Sequence, residues 1–312
     1  MKTKEDSSSQ AICPHHLPQK ARSAFTLLEL AFLLGTVAAL LTVAGHGLAR
    51  TRPITQGSRC LANIRTLMMA NMIYSFDNRD ALPMNIFGGF VPNPRSSTRP
   101  WVTGVMDWSP FRDNTNTTYL LDPRYASLAT YFGGDLSIYR CPADNFLSTA
   151  QQRVGMTNRL RSVSANLYVG KGNAWVSGAD YSLPGSANLL PIYRGAAKSS
   201  DLMIPGPART WVYMDEHPDS INDGGLFPPT SANVIPDLPA TYHNGAAGVA
   251  MADGHCEMHR WRGPLMNKPR SEHGMLGVDF NIFNLFPTVI GDPDLYWLSF
   301  GTPRLTTRTM AD

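Results

Sequence analysis

The sequence predicts an α+β fold in which a long N-terminal transmembrane and stem helix packs on a C-terminal antiparallel β-sheet. Three observations support it: an apolar segment over residues 25–49, helical spacing of apolar residues over 58–76, and short strand patterns that include an Asp-Gly turn. The chain of 312 residues is 43% hydrophobic and 16% charged. This composition excludes disordered, collagen-like and disulfide-dense chains, and the length suits one globular domain on an N-terminal segment.

Charge gives no sign of a nucleic-acid partner. The 27 basic and 24 acidic side chains give a net charge of +3. Proteins that bind nucleic acid concentrate Lys and Arg on one face, and the sequence has no such block, so we expect no nucleic-acid partner. The 26 Gly and 24 Pro predict a loop-rich body with short strands.

Residues 25–49 are predicted to cross a membrane as a single helix. They contain one charged side chain, Glu29. About 20 apolar residues are enough to span a hydrocarbon core of about 30 Å. The preceding residues 1–24 carry more basic than acidic side chains, which predicts a cytoplasmic N-terminus, with the body beyond the inner membrane.

Two other interpretations of the apolar segment stay open. One is a buried helix of a soluble protein, although such helices rarely lack a polar face over this length. The other is a secretory signal cleaved at Val43-Ala44 or Leu48-Ala49, although typical apolar regions of such signals have about 7–15 residues.

Glu29 is a functional candidate because an unpaired carboxylate in an apolar helix costs about 2.5–3.5 kcal/mol. If the chain were cut before Phe25, the new α-amino group would lie four residues upstream, about one helical turn away. Cleavage would therefore supply a cation for Glu29, in the same helix or a neighbouring one.

The junction Ser23-Ala24-Phe25-Thr26-Leu27-Leu28-Glu29-Leu30 resembles the class III signal of type IV prepilins and type II secretion pseudopilins. The resemblance implies cleavage between Ala24 and Phe25 by a prepilin peptidase and methylation of the Phe25 amine. It also makes Glu29 the fifth residue of the mature protein. The family usually has Gly where this chain has Ala24.

Helical spacing resumes after Pro53, which is expected to interrupt the helix and leave a kinked amphipathic stem over residues 50–80. The spacing predicts a helix over 58–76 with one apolar stripe packed on the body. That stripe consists of Leu61, Ile64, Leu67, Met68, Met72 and Ile73.

Strands are predicted over 162–170, 209–214, 247–252 and 255–261. The last two flank Asp253-Gly254, which predicts a hairpin whose two turn residues both have positive φ. Alternation on the last strand places Cys256 and Met258 on its inward face.

The string from His243 to Asp253-Gly254 has nine intervening residues. It resembles the H-X9-DG segment of a class of bacterial prepilin-like proteins, the DUF1559-like group. Further fragments agree with that group: Cys60-Leu61-Ala62-Asn63-Ile64-Arg65, Tyr74, Asp77-Asn78, Pro83, Tyr139-Arg140-Cys141-Pro142-Ala143-Asp144, Asp215-Glu216 and Trp261.

A metal site is the functional interpretation of the acidic residues that follow the second predicted strand. The candidate ligands are Asp215, Glu216, Asp219 and Asp223, whose oxygen donors suit calcium, as in the C-terminal loop of secretion pseudopilins. The alternative is a structural hairpin at Asp253-Gly254 with a His243 that fixes an adjoining loop. Zinc bound through His255 and His259 is disfavoured, since residues four apart on a strand lie about 13 Å apart.

The cysteines leave two alternatives. Cys13 would depart with the leader, so the exported part would keep three cysteines. Cys60 and Cys141 could form a disulfide between the stem helix and the loop region in an oxidising compartment, or stay buried free thiols. Cys256 is expected in the core.

These expectations describe a leader over 1–24, a membrane helix over 25–49, a stem over 50–80 and a pilin-like domain over 81–312. The predicted function is assembly into an envelope filament or a type II secretion-like apparatus, with other pilin-like subunits, lipid and prepilin peptidase as partners. The first alternative is a membrane-anchored surface protein that binds or supports without forming a filament. A third is an anchored metal-dependent hydrolase, but no catalytic sequence motif occurs and no enzyme is expected. Its candidate groups are Ser162, Ser164, Asp215, His217, His243 and Asp253.

Overall fold

The structure, a computed structural model, describes residues 26–85, 99–170, 193–229, 234–263, 286–287 and 291–304, with only the backbone for 42–55, 234 and 286–287. The chain divides into two compact units, Met1–Ala49 and Arg50–Asp312.

The described elements are one long helix, several short helices and seven short strands. The α-helices are α1 Leu27–Asp77, α2 Thr118–Leu121, α3 Thr149–Arg153 and α4 Pro293–Phe300. The 3-10 helices are Arg112–Thr115, Leu136–Tyr139, Ser199–Asp201 and Pro207–Arg209. The strands are β1 Val163–Asn166, β2 Trp211–Asp215, β3 Gly225–Leu226, β4 Val234–Ile235, β5 Ala246–Met251, β6 Cys256–Arg260 and β7 Phe286–Pro287.

Five strands form a mixed sheet in the order β3-β1-β2-β5-β6, and β4 pairs with β7 in a second small sheet. The α+β class is therefore confirmed. The expectation of an antiparallel sheet is wrong at one edge, because β3 runs parallel to β1, with Ala165 opposite Gly225. A strand of two residues has no alternation that could have revealed this pairing.

Helix α1 packs on the sheet through residues of the second unit. Ile64, Leu67 and Met68 are buried in the main core with side chains of β1, β2 and β5. The predicted stripe is thus confirmed at its centre. It is wrong at its C-terminal end, where Met72 and Ile73 are 44% and 47% exposed. Polar Asn71 lies inside instead and donates a hydrogen bond of 2.8 Å to the Tyr213 hydroxyl.

Pro53 does not divide the long helix, since α1 runs as one element from Leu27 to Asp77. A proline removes a single amide donor, and the neighbouring turns keep theirs. Within the part of the chain that the structure describes, no helix has an apolar run sufficient to cross a membrane. The side chains of residues 42–49, within the predicted span, lie outside that part.

Strand β2 has a register shift between Trp211 and Tyr213, so its side chains do not alternate strictly between the two faces of the sheet. Val212 and Tyr213 face the α1 side, whereas Trp211 and Met214 join a second core that includes Leu298 of α4. The indole of Trp211 donates a hydrogen bond of 3.0 Å to the Leu298 carbonyl. The sheet is therefore covered on both faces.

The predicted hairpin between β5 and β6 is confirmed, with a different turn. Gly254 has a φ of +95°, but Asp253 is not among the residues with positive φ. The Gly254 amide donates to the Met251 carbonyl, and the Met251 amide donates to the His255 carbonyl. One left-handed glycine is thus enough to close this turn.

Replacement of α1 residues tests which face is buried. Leu67→Ala should lower the free energy of unfolding by about 2–5 kcal/mol, because it removes a fully buried side chain. Ile73→Ala, on the exposed side of the same helix, should change it by less than about 0.5 kcal/mol. Urea unfolding of the full chain in detergent, followed by tryptophan fluorescence, measures both values. Equal losses would contradict the packing described.

Candidate functional site

Four buried side chains from distant parts of the sequence meet beneath helix α1. They are Cys60, Cys141, Asp215 and His243. One sulfur, oxygen or nitrogen atom from each lies within 4.8 Å of the others, and no other group of three or more His, Cys, Asp or Glu side chains converges in this way among the described residues. All four are at most 6% exposed. We call this group the Cys-Cys-Asp-His cluster.

Asp215 lies at the centre of the cluster because it is the last residue of β2, on the face that α1 covers. Its Oδ2 accepts hydrogen bonds from the Cys60 thiol at 2.8 Å and the Gly248 amide at 3.1 Å. A side chain at Gly248 would not fit, since its Cβ would lie 2.9 Å from the Cys60 sulfur. Glycine on β5 therefore makes room for the cluster between helix and sheet.

A tight turn presents Cys141 to the cluster. The Cys141 amide donates to the Ser162 hydroxyl at 2.8 Å, and the Asp144 amide donates to the Cys141 carbonyl at 3.0 Å. The Asp144 carboxylate pairs with buried Arg159 at 3.2 Å. The Ala143 amide points at the Cys141 sulfur, at 3.4 Å. The turn is thus anchored on both sides of the thiol.

His243 reaches the cluster from the loop before β5. This loop reverses direction at Asn244 and Gly245, whose φ values are +56° and +80°. Asparagine tolerates the left-handed region better than most other residues. The His243 Nε2 lies 3.1 Å from the Cys141 sulfur and 4.0 Å from the Asp215 Oδ2.

Burial and mutual contacts favour the uncharged form of each side chain in the cluster. Burial raises the pKa of Asp215 to about 7. The hydrogen bond to Cys141, followed by burial, raises the pKa of Cys60. The Cys60 hydrogen bond lowers the pKa of Cys141, but burial and the Asp215 charge leave it raised. Burial lowers the pKa of His243, which favours the neutral imidazole.

Cys60 and Cys141 meet as buried free thiols in the structure, which is the second of the two alternatives, and form no disulfide there. Each sulfur has another partner, which is the Asp215 carboxylate for Cys60 and the His243 imidazole for Cys141. Cys256 packs at the edge of the main core, as expected.

The four acidic residues expected to bind calcium do not converge on one point. Asp215 belongs to the cluster, whereas Glu216 accepts a hydrogen bond of 2.7 Å from Ser220. Asp219 accepts one of 3.0 Å from the Trp108 indole, and Asp223 accepts one of 2.7 Å from the Gly225 amide. Alternation along the strand already separates Asp215 from Glu216.

The buried guanidinium of Arg161 lies close enough to Asp223 and Glu216 to interact with their charges. Burial lowers the pKa of Arg161 to about 10, while the charges of Asp223 and Glu216 favour its protonated form. Burial raises the pKa of Glu216 to about 8. Burial, together with the Glu216 charge, also raises the pKa of Asp237. Arg161 therefore supplies positive charge near these carboxyls.

His243 and Asp253 lie at opposite ends of β5 and do not form a joint site. Asp253 is at the exposed hairpin turn, where its Oδ1 lies 2.6 Å from the His255 Nδ1. His259 stacks on Trp297 at 3.8 Å between ring centroids. The structural interpretation of Asp253-Gly254 as a hairpin turn is therefore confirmed.

Of the candidate hydrolase groups, Asp215 and His243 belong to the cluster, Asp253 is exposed, and Ser162, Ser164 and His217 are buried. Ser162 and Ser164 are fully buried in or beside β1, and the His217 Nδ1 accepts a hydrogen bond from the Asp219 amide. Surface clefts of about 340, 480 and 620 Å³ are lined by none of these residues or the cluster.

Of the expected processing site, Ala24 and Phe25 lie outside the described residues. Glu29 lies in the first turn of α1, where its Oε2 accepts hydrogen bonds from the Thr26 amide at 2.9 Å and the Thr26 hydroxyl at 3.0 Å. The Glu29 amide donates back to the Thr26 hydroxyl at 3.3 Å. This is a capping box, which the spacing Thr-x-x-Glu could have revealed.

Sequence reasoning singled out each member of the Cys-Cys-Asp-His cluster but did not group them. The missed signal was the donor set itself, since thiolate, imidazole and carboxylate are the ligands that zinc takes in proteins. Comparison with known proteins adds no family: no family model matches the chain, and neither does any curated protein or solved structure.

The buried carboxyls predict how stability depends on pH. Because folding raises the pKa of Asp237 above its unfolded value of about 3.9, the neutral carboxyl stabilises the fold at low pH, and this contribution is lost as pH rises above about 4. For each such carboxyl, the free energy of unfolding falls by up to about 1.4 kcal/mol for each unit by which the pH rises in this range.

Asp237→Asn should therefore reduce the loss of stability between about pH 5 and pH 8, while keeping an acceptor for the Phe227 amide. The exposed Asp253→Asn should leave that slope unchanged. Urea unfolding at several pH values, with a chelator present, measures the slopes. A slope in Asp237→Asn equal to or steeper than that of the native chain would contradict the assignment.

Proposed function

We propose that this chain is a pilin-like or pseudopilin subunit of the bacterial envelope. Before assembly it lies in the inner membrane as a single-pass protein with a cytoplasmic N-terminus and a periplasmic or extracellular body. A prepilin peptidase cleaves it between Ala24 and Phe25 and methylates Phe25. The subunit then assembles through its N-terminal helix into a filament or a type II secretion-like apparatus. The observation that supports this most is the signal at residues 23–30.

The proposal is also supported by the apolar side chains at the start of α1, which are exposed and would be more stable in an apolar environment. Nine large apolar residues between positions 27 and 41 are 45% exposed or more. They are Leu27, Leu28, Leu30, Phe32, Leu33, Leu34, Val37, Leu40 and Leu41. Full burial of each such side chain is worth about 1.5–3 kcal/mol, so lipid tails or neighbouring helices would stabilise this part of α1.

The second unit supports the proposal through the part of α1 that it includes. From residue 56 onward the helix presents buried side chains to the core, so the body is fixed to its own helix rather than joined by a loop. A subunit assembled through its N-terminal helix needs a body that is firmly attached to that helix.

Glu29 has two candidate roles that make different demands. Its carboxylate caps the first turn of α1, for which glutamine serves as well. Pairing with the Phe25 amine of a neighbouring subunit requires the negative charge. A buried pair of this kind can set the register of helices in an assembly.

Substitution of Glu29 separates these roles. Both Glu29→Ala and Glu29→Gln should still be cleaved, and both should give at least about tenfold less polymer, because loss of one partner of a buried pair costs more than about 1.4 kcal/mol. Cleavage is followed by mobility on gels, and polymer by sedimentation and electron microscopy of sheared surface fractions. Glu257→Gln, a change on the body, should assemble like the native chain.

Wild-type levels of polymer in Glu29→Gln would show that the residue only caps the helix and would contradict the charge-pair mechanism. A native chain that is cleaved yet found only as scattered membrane monomer would contradict assembly itself. That result would favour the membrane-anchored surface protein.

A further inference from the structure

We infer that the Cys-Cys-Asp-His cluster binds one Zn²⁺ ion, with Cys60 Sγ, Cys141 Sγ, Asp215 Oδ2 and His243 Nε2 as its four ligands. The donor set matches zinc, which takes cysteine sulfur at about 2.3 Å, histidine nitrogen at about 2.0–2.1 Å and carboxylate oxygen at about 2.0–2.2 Å. The site would be structural and closed.

The geometry of the cluster is close to that of a zinc tetrahedron. Ligand atoms at those bond lengths lie about 3.3–3.8 Å from one another. Here the Cys60 sulfur is 2.8 Å from Asp215 Oδ2, and the Cys141 sulfur is 3.1 Å from His243 Nε2. The His243 and Asp215 donors are 4.0 Å apart. Side-chain shifts of under about 1 Å would bring these three distances to those of a zinc tetrahedron, and the other pairs of ligand atoms lie within 4.8 Å of each other.

When its two thiols and its carboxyl are ionised, the cluster needs a cation. Two thiolates and a carboxylate would place three negative charges in a site that excludes water, where such charges need a partner. Binding forms two Zn–S bonds, one Zn–O bond and one Zn–N bond. The two thiol protons, and the Asp215 proton where present, pass to solvent. One net negative charge remains.

Two backbone amides lie where they would hold the ionised ligands. The Ala143 amide points at the Cys141 sulfur, and the Gly248 amide holds Asp215 Oδ2. These amides would stabilise a thiolate at Cys141 and an ionised carboxylate at Asp215, because hydrogen bonds to a charged form favour that form.

Calcium does not suit the site, since it takes six to eight oxygen ligands and this cluster offers two sulfurs and a nitrogen. The cluster is distinct from the acidic residues first expected to bind metal, of which it includes only Asp215. The site is independent of the pilin-like proposal, because it ties helix α1 to the sheet whatever the chain assembles into.

Metal analysis of the purified full chain in detergent tests the inference. All samples carry Cys13→Ser, so that thiol counts report Cys60, Cys141 and Cys256. Elemental analysis should give about one zinc per chain. His243→Ala should lower zinc affinity more than about tenfold in competition with a chelator, and Cys60→Ser with Cys141→Ser should abolish binding. Cys256→Ser and His255→Ala, outside the cluster, should bind zinc like the parent chain.

A measurement on the parent chain alone covers the case in which the variants do not fold. X-ray absorption at the zinc edge should report two sulfur and two nitrogen or oxygen ligands, and Co²⁺ in place of zinc should give the visible spectrum of a tetrahedral thiolate site. A zinc shell of oxygen and nitrogen only would mean adventitious metal and would overturn the inference. A metal-free folded chain would overturn it as well, whether the thiols are free or the mass shows the two lost hydrogens of a Cys60–Cys141 disulfide.

Discussion

The contact between helix α1 and one face of the mixed sheet is the interaction on which the rest of the body depends. It requires a strand that the helix can approach closely, and β5 supplies one with alanine and glycine on the helix side. A Cβ at Gly248 would lie 3.4 Å from Ile64 and still closer to Cys60. The buried polar groups follow from this closeness, because Asp215 and Asn71 find their partners across the same contact.

The two parts of α1 differ in whether their apolar side chains are exposed or buried. It begins with a capping box at Thr26 and Glu29, and its first residues expose apolar side chains. Residues from 56 onward bury a stripe that combines Ile64 and Leu67 with polar Cys60 and Asn71. This division is what the proposed assembly through the N-terminal helix requires.

Periodicity predicted the elements whose patterns extend over several residues. It found α1 through Ile64, Leu67 and Met68, and the β5–β6 hairpin through Asp253-Gly254. It failed where the signal was too short or the stripe drifted around the helix. Ile73, expected inside, is exposed. The bulge in β2, which turns Trp211 and Met214 to the same core, left no trace in the alternation.

The Cys-Cys-Asp-His cluster lay beyond sequence reasoning for a different reason. Its members come from α1, a turn, the end of β2 and the loop before β5, and only the folded chain brings them together. The sequence could pair Cys60 with Cys141 by residue type, but it could not place Asp215 and His243 beside them. Long-range contacts of this kind leave no local pattern.

The mass of the mature N-terminus tests the central functional claim most directly. The protein is recovered from membranes of cells with and without a prepilin peptidase, and its first peptide is measured by mass spectrometry. The account predicts a peptide that begins at N-methylated Phe25 and appears only when the peptidase is present. A start near Gly45 or Arg50, or an intact leader in both strains, would contradict it.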